Sequence, residues 1–142
     1  MGSVRIGDVI CFEVAYNGLI RDVVDGGAQL LVVQTNNATY TGTGQLEQQF
    51  AISRYRALET GRTVVIAATN GISGVIAPSG EVLAVSAPMT RAVLQSEVTL
   101  ATTRTAGVRA GLEVELVLAG LGGVLAGAAG LGGRRRIGTM AS

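Results

Sequence analysis

Short apolar segments rich in β-branched residues recur along this chain, and helix-forming segments separate the first three of them. The predicted strands are residues 9–10, 30–34 and 63–69. The predicted helices between them are residues 17–25, with Asn17 as the N-cap, and residues 45–60. The predicted strand over residues 30–34 begins with four consecutive apolar residues, which is typical of a strand buried on both faces. Strands that alternate with helices predict a layered α/β domain.

The second half of the domain adds a predicted hairpin. Residues 72–76 and 81–85 flank the turn sequence Pro78-Ser79-Gly80. Residues 92–98 are predicted to form a last strand.

Composition excludes several kinds of site. The net charge is +1, and no basic stripe alternates with aromatic residues, which argues against nucleic acid as a partner. One cysteine excludes a disulfide framework or a cysteine-based zinc site. The absence of histidine removes the commonest metal ligand and general base. We therefore predict no metal or cofactor, and any catalysis must use the thiol and carboxylates.

The single cysteine, Cys11, ends the first apolar segment, and Glu13 follows two residues later. A turn from strand to helix at this point exposes a side chain and allows its thiol to act as a nucleophile. The residues alone leave a second interpretation open, in which Cys11 is a small, inert side chain of an apolar strand.

Several segments, in the same order along the chain, resemble the nitrilase superfamily and, within it, the apolipoprotein N-acyltransferases. They are residues 10–13, 26–38, 54–62, 68–73 and 76–80. The resemblance implies that residues 1–106 are the C-terminal part of a nitrilase-like catalytic domain, an α-β-β-α sandwich.

The resemblance also implies a reaction. These enzymes transfer a fatty acyl chain from a phospholipid to the N-terminal cysteine of a diacylglyceryl lipoprotein. Cys11 would hold the acyl group as a thioester, and the backbone N–H of Phe12 would stabilise the oxyanion. Glu13 would orient the incoming amine or the general base, although its position alone is equally consistent with a structural carboxylate.

The superfamily carries a glutamate and a lysine before its cysteine, whereas only ten residues precede Cys11. We therefore expect a fragment of a longer enzyme that is inactive by itself.

Two polar features have both a functional and a purely structural interpretation. The loop over residues 35–44 borders the active site if the resemblance holds, and is otherwise a surface connection. Glu59 is a candidate for a buried ion pair with Arg54, Arg56 or Arg62, or is a solvated charge.

The chain has no charged residue from 116 to 133, and three arginines follow directly. Eighteen helical residues rise about 27 Å, close to the bilayer core of about 30 Å. We therefore predict a juxtamembrane linker over 107–115, one transmembrane helix over 116–133 and a cytoplasmic basic tail over 134–142. The catalytic domain would lie on the extracytoplasmic side of the bacterial inner membrane. A disordered tail rich in glycine and alanine is the alternative.

Three classes of function follow from these features. The first is part of a membrane N-acyltransferase. The second is a fragment of a soluble carbon-nitrogen hydrolase that acts on a small amide or nitrile. The third is a non-catalytic, membrane-anchored remnant, because the superfamily's glutamate and lysine are missing.

Overall fold

A computed structural model describes residues 3–138, and in the last helix it leaves out the side chains of 111–113, 115 and 128–138. The chain divides into two compact units, with the boundary between Val108 and Arg109. The strands are β1 Ile6–Ile10, β2 Leu30–Thr35, β3 Val64–Ala68, β4 Gly74–Ile76 and β5 Val82–Val85. The helices are α1 Asn17–Asp25, α2 Gln45–Thr60 and α3 Ala106–Gly138, with short 3₁₀ turns at Cys11–Ala15 and Ala38–Tyr40.

The five strands form one sheet in the order β1-β2-β3-β4-β5. The first three are parallel, and β4 and β5 pair antiparallel, as the predicted hairpin requires. Right-handed crossovers between neighbouring parallel strands place α1 and α2 on the same face of the sheet. This arrangement of strands and helices confirms the predicted layered α/β domain.

The core lies between the sheet and these two helices. Its strand residues pack against Ile20 of α1 and Ala57 of α2; they are Val9, Leu31, Val33, Val64 and Ile66. Each buried aliphatic side chain contributes about 1.5–3 kcal/mol. The intervening positions Ile6, Asp8, Ile10 and Gln34 are exposed on the other face. The expectation that β2 is buried on both faces is therefore wrong for the described residues, because helices cover only one face.

Both predicted helices are confirmed, except that the N-cap of α1 is Tyr16 and not Asn17, which is the first helical residue. Helix α2 ends where Gly61 adopts a φ of 63°. This left-handed conformation is readily available to glycine and terminates the helix.

The predicted last strand over 92–98 is wrong. The segment has no regular secondary structure, and Val93 is 89% exposed. Its apolar residues resemble a strand in composition, but no neighbouring strand supplies a hydrogen-bonding ladder.

The amino-terminal edge of the parallel strands is built around Arg62, which is 1% exposed. Its guanidinium donates hydrogen bonds to the carbonyl oxygens of Ala28 at 2.6 Å, Thr60 at 2.7 Å and Thr103 at 3.4 Å. Burial lowers the pKa of Arg62, and the charge of Asp25 acts in the opposite direction. A buried guanidinium thus ties the segment after the sheet to its edge.

The segments predicted as linker and span, 107–115 and 116–133, both belong to α3. Among the described residues, no helix is long and apolar enough to cross a membrane. The prediction of a transmembrane helix is therefore not supported. Seven of the eighteen residues from 116 to 133 are glycine and contribute no apolar side chain. The side chains from residue 128 onward lie outside the described part. Residues 139–142 of the predicted tail also lie outside it.

Candidate active site

The carboxyl ends of the three parallel strands meet at one edge of the sheet. Cys11, Asn36 and Thr69 directly follow β1, β2 and β3. All three line one open cavity of about 670 Å³. Its complete lining is Ile10, Cys11, Gln34, Thr35, Asn36, Ala67, Ala68, Thr69, Ser73 and Ala92. Ligands of open α/β sheets characteristically bind outside this edge.

Cys11 is the first residue of the 3₁₀ turn that follows β1. Its φ of 52° lies in the left-handed region, which costs a non-glycine residue about 1–2 kcal/mol. Its thiol is free and half-buried. The predicted turn after the first strand is therefore confirmed, and it aims the cysteine at the cavity.

Glu13 closes this turn back onto the strand. Its Oε2 accepts a hydrogen bond from the backbone N–H of Ile10 at 2.8 Å. The backbone N–H of Phe12 lies in the first turn of the 3₁₀ helix, where N–H groups have no intrahelical acceptor. The Phe12 side chain is 51% exposed. The structure thus gathers the three predicted site residues in one turn, and their catalytic roles remain predictions.

The far end of the same turn is fixed by Arg56 of α2, which is 2% exposed. Its guanidinium donates to the carbonyl oxygens of Val14 and Ala15 and to Oδ1 of Asn17, each at 2.7 Å. It also pairs with Glu59 at 2.5 Å. This contact identifies the partner of Glu59 among the three predicted arginines. Helix α2 therefore holds the Cys11 turn through one charged, buried side chain.

A buried polar network lies behind the cavity and was not predicted from the sequence. Nδ2 of Asn37 donates to Oε1 of Gln49 at 2.5 Å, and the Thr35 hydroxyl donates to Oδ1 of Asn37 at 3.2 Å. A Cβ at Gly71 would collide with Oδ1 of Asn37, so a glycine is needed there. The available signal was Gln49, a polar residue on the core-facing side of α2.

A metal centre was not predicted from the sequence. Among residues 3–138, as far as their side chains are described, no group of three or more cysteine, aspartate or glutamate residues is arranged to hold a metal ion. The groups present at the candidate site are the Cys11 thiol, the carboxylate of Glu13 and the backbone and amide hydrogen-bonding groups of the cavity lining.

Comparison with known proteins identifies the family of this chain. Residues 1–107 match the carbon-nitrogen hydrolase family. The apolipoprotein N-acyltransferase of Mycolicibacterium smegmatis is 39% identical over 82% of this chain, and that of Shewanella oneidensis is 32% identical over 82%. The chain spans only 19% and 22% of the lengths of these relatives.

Solved structures agree on the fold. An amidase from Nesterenkonia sp. AN1 with acrylamide added at its active-site cysteine is 25% identical, with a TM-score of 0.51 over 62% of this chain and 37% of that one. Another structure of this amidase, described as a member of the nitrilase superfamily, covers 82% of this chain and 45% of its own, with a TM-score of 0.55 and 21% identity. The chain therefore belongs to the carbon-nitrogen hydrolase family.

Proposed function

We propose that this chain is the cysteine-bearing part of an apolipoprotein N-acyltransferase. The observation that carries the proposal is Cys11 itself, placed on a strained turn at the carboxyl edge of the sheet and open to a cavity. Strain of this kind is characteristic of functional sites. The similarity to two relatives named apolipoprotein N-acyltransferase supports the choice of reaction.

The proposed reaction has two steps through one sulfur atom. The Cys11 thiolate attacks an ester carbonyl of a phospholipid, and collapse of the tetrahedral intermediate breaks the ester bond and releases a lysophospholipid. The N-terminal amine of a diacylglyceryl lipoprotein then attacks the thioester. An amide forms as the amine nitrogen loses a proton, and the Cys11 thiolate is released and protonated.

Local groups suit this chemistry. The N–H of Phe12, which has no acceptor within its own 3₁₀ turn, is the proposed donor to the oxyanion of both tetrahedral intermediates. Glu13 is proposed to support Cys11 by fixing the Ile10 amide, and its second carboxylate oxygen is the group proposed to orient the incoming amine. The general base is proposed to come from the glutamate and lysine of the superfamily, in the part of the relatives that this chain does not match.

The proposed donor is a lipid and the proposed acceptor carries one. We therefore propose that the reaction takes place at the extracytoplasmic surface of the bacterial inner membrane. A hydrolase of small amides would form its thioester from an amide, with release of ammonia or an amine, and water would then attack the thioester. The amidase likeness keeps that reaction as the second candidate.

The proposal is tested in a chimera, in which this chain replaces the matching region of the Mycolicibacterium smegmatis relative. With labelled phospholipid and no acceptor, we expect the label on Cys11, released by neutral hydroxylamine. Addition of a lipoprotein peptide should transfer the label to the peptide, and a matched Cys11→Ala chimera should trap none.

Label that persists in the Cys11→Ala chimera would contradict the thioester mechanism. Release of free fatty acid without transfer would favour hydrolysis of the thioester over transfer to an amine. The 142-residue chain by itself is expected to show no transfer, because a nucleophile without its base retains little of the activity. Transfer by the chain alone that Cys11→Ser abolishes would contradict this expectation.

A further inference from the structure

Two exposed carboxamide side chains, Gln34 and Asn36, line the same cavity as Cys11. A carboxamide offers a carbonyl oxygen at one end and an NH₂ donor at the other. The end that the protein already uses therefore determines which end is left for a ligand.

The amide of Gln34 is oriented by Asp8 on the neighbouring strand. Nε2 of Gln34 donates to both carboxylate oxygens of Asp8, at 2.8 and 2.9 Å. An ionised carboxylate only accepts hydrogen bonds, so the reversed amide would set oxygen against oxygen. Oε1 of Gln34 is thus left without a hydrogen-bond partner among residues 3–138.

The amide of Asn36 is oriented in the opposite sense by its own backbone. Oδ1 of Asn36 accepts a hydrogen bond from the N–H of Ala38 at 3.1 Å, which forms an Asx turn. Its Nδ2 donor has no partner in the described part of the chain. The cavity therefore carries an acceptor on Gln34 and a donor on Asn36.

We propose that this pair recognises a peptide group of the acceptor substrate, with its N–H on Oε1 of Gln34 and its C=O on Nδ2 of Asn36. The inference rests on the proposed function in taking the N-terminal peptide of a lipoprotein as the ligand. The group recognised is the first peptide bond after the acceptor cysteine, so its amine is held beside the thioester on Cys11. A site built to pair with a substrate N–H discriminates against amines that lack the peptide group.

The test uses two peptides with an S-alkylated N-terminal cysteine, one of which is methylated on the nitrogen of its first peptide bond. Each is measured by its protection of Cys11 in the 142-residue chain against iodoacetamide, followed by intact mass. The parent chain should bind the N–H peptide about three to ten times more tightly than the methylated one. Gln34→Leu should remove this preference, whereas the control Gln48→Leu, exposed on α2, should retain it.

Two further variants keep the test decisive if Gln34→Leu fails to fold. Asp8→Asn frees the Gln34 amide to reverse and should reduce the preference for the N–H peptide. Asn36→Asp keeps the Asx turn but replaces the donor, and should weaken both peptides equally by about three to ten times. An unchanged preference in Gln34→Leu or Asp8→Asn, or no protection by either peptide, would overturn the proposal. The proposed function fails separately, through the absence of a trapped thioester in the chimera.

Discussion

The two edges of the parallel sheet differ in how completely their polar side chains are paired. At the carboxyl edge, Cys11 has a strained backbone, and Gln34 and Asn36 each leave one polar atom unpaired among the described residues. At the amino edge, Arg62 makes three hydrogen bonds to carbonyl oxygens, and the Thr63 hydroxyl donates to the carbonyl of Thr99 at 3.0 Å.

This difference suggests that the residues most important for stability and those available for ligand binding lie at different edges. Polar groups that are fully paired and buried contribute to the free energy of unfolding, whereas groups left open are available to a ligand at some cost to stability. Substitutions at the amino edge should therefore lower stability most. Substitutions at the carboxyl edge should have smaller or even favourable effects on stability.

The largest effect is expected from Arg62→Met. The change leaves the buried carbonyl groups of Ala28 and Thr60, and the more exposed one of Thr103, without their charged donor and should lower the free energy of unfolding by about 3 kcal/mol. Urea unfolding followed by far-UV circular dichroism measures it. The control is Arg104→Met, whose ion pair with Asp25 at 2.8 Å is about half exposed and should cost less than about 1 kcal/mol. Equal losses in both variants would remove the distinction between the edges.

Arg56→Lys is expected to have the second-largest effect. Lysine keeps the charge but cannot reproduce the fork of bonds to Val14, Ala15 and Asn17, so stability should fall by about 2 kcal/mol. Alkylation of Cys11 should also change in rate, because Arg56 fixes the turn that carries the thiol. Arg54→Lys is the matched control, since the exposed side chain of Arg54 donates one hydrogen bond, to the Gly80 carbonyl oxygen. An unaltered alkylation rate in Arg56→Lys would argue against this positioning.

Gln49→Leu tests the buried network behind the cavity. The substitution leaves the Asn37 amide without its acceptor and should cost about 1.5 kcal/mol in urea unfolding. The exposed neighbour Gln48 provides the control, and Gln48→Leu should change stability by less than about 0.5 kcal/mol. A loss as large as that of Arg62→Met would contradict the proposed contrast between the edges.

The smallest effect, and the only gain, is expected at Cys11. Glycine adopts a φ of 52° without a Cβ penalty, so Cys11→Gly should be more stable than Cys11→Ala by about 0.5–1 kcal/mol. Both variants lack the thiol, so their difference in stability measures the cost of a Cβ at this φ. If Cys11→Ala is the more stable variant, the turn is not strained.

Features set by neighbouring residues were predictable from the sequence, and features set by distant contacts were not. Glycine marks the end of α2, and the turn at Cys11 follows from the residues around it. The orientation of Gln34 depends on Asp8, 26 residues earlier, and no local pattern encodes it. The prediction of a strand over residues 92–98 was wrong for the same reason, because an apolar composition does not supply a neighbouring strand to pair with.

The agreement between strand order and chain order has a consequence for folding. Each strand pairs with the strand that precedes it in the chain, and the paired residues lie 24 apart between β1 and β2 (Ile6 with Leu30) and 33 apart between β2 and β3 (Leu31 with Val64). Short sequence separations favour rapid folding. The bond from Arg62 to Thr103 spans 41 residues, and the amide of Ala101 donates back to the carbonyl of Gln29. We therefore expect the segment after the sheet to dock last, and its amides to gain protection from hydrogen exchange after those of the parallel strands.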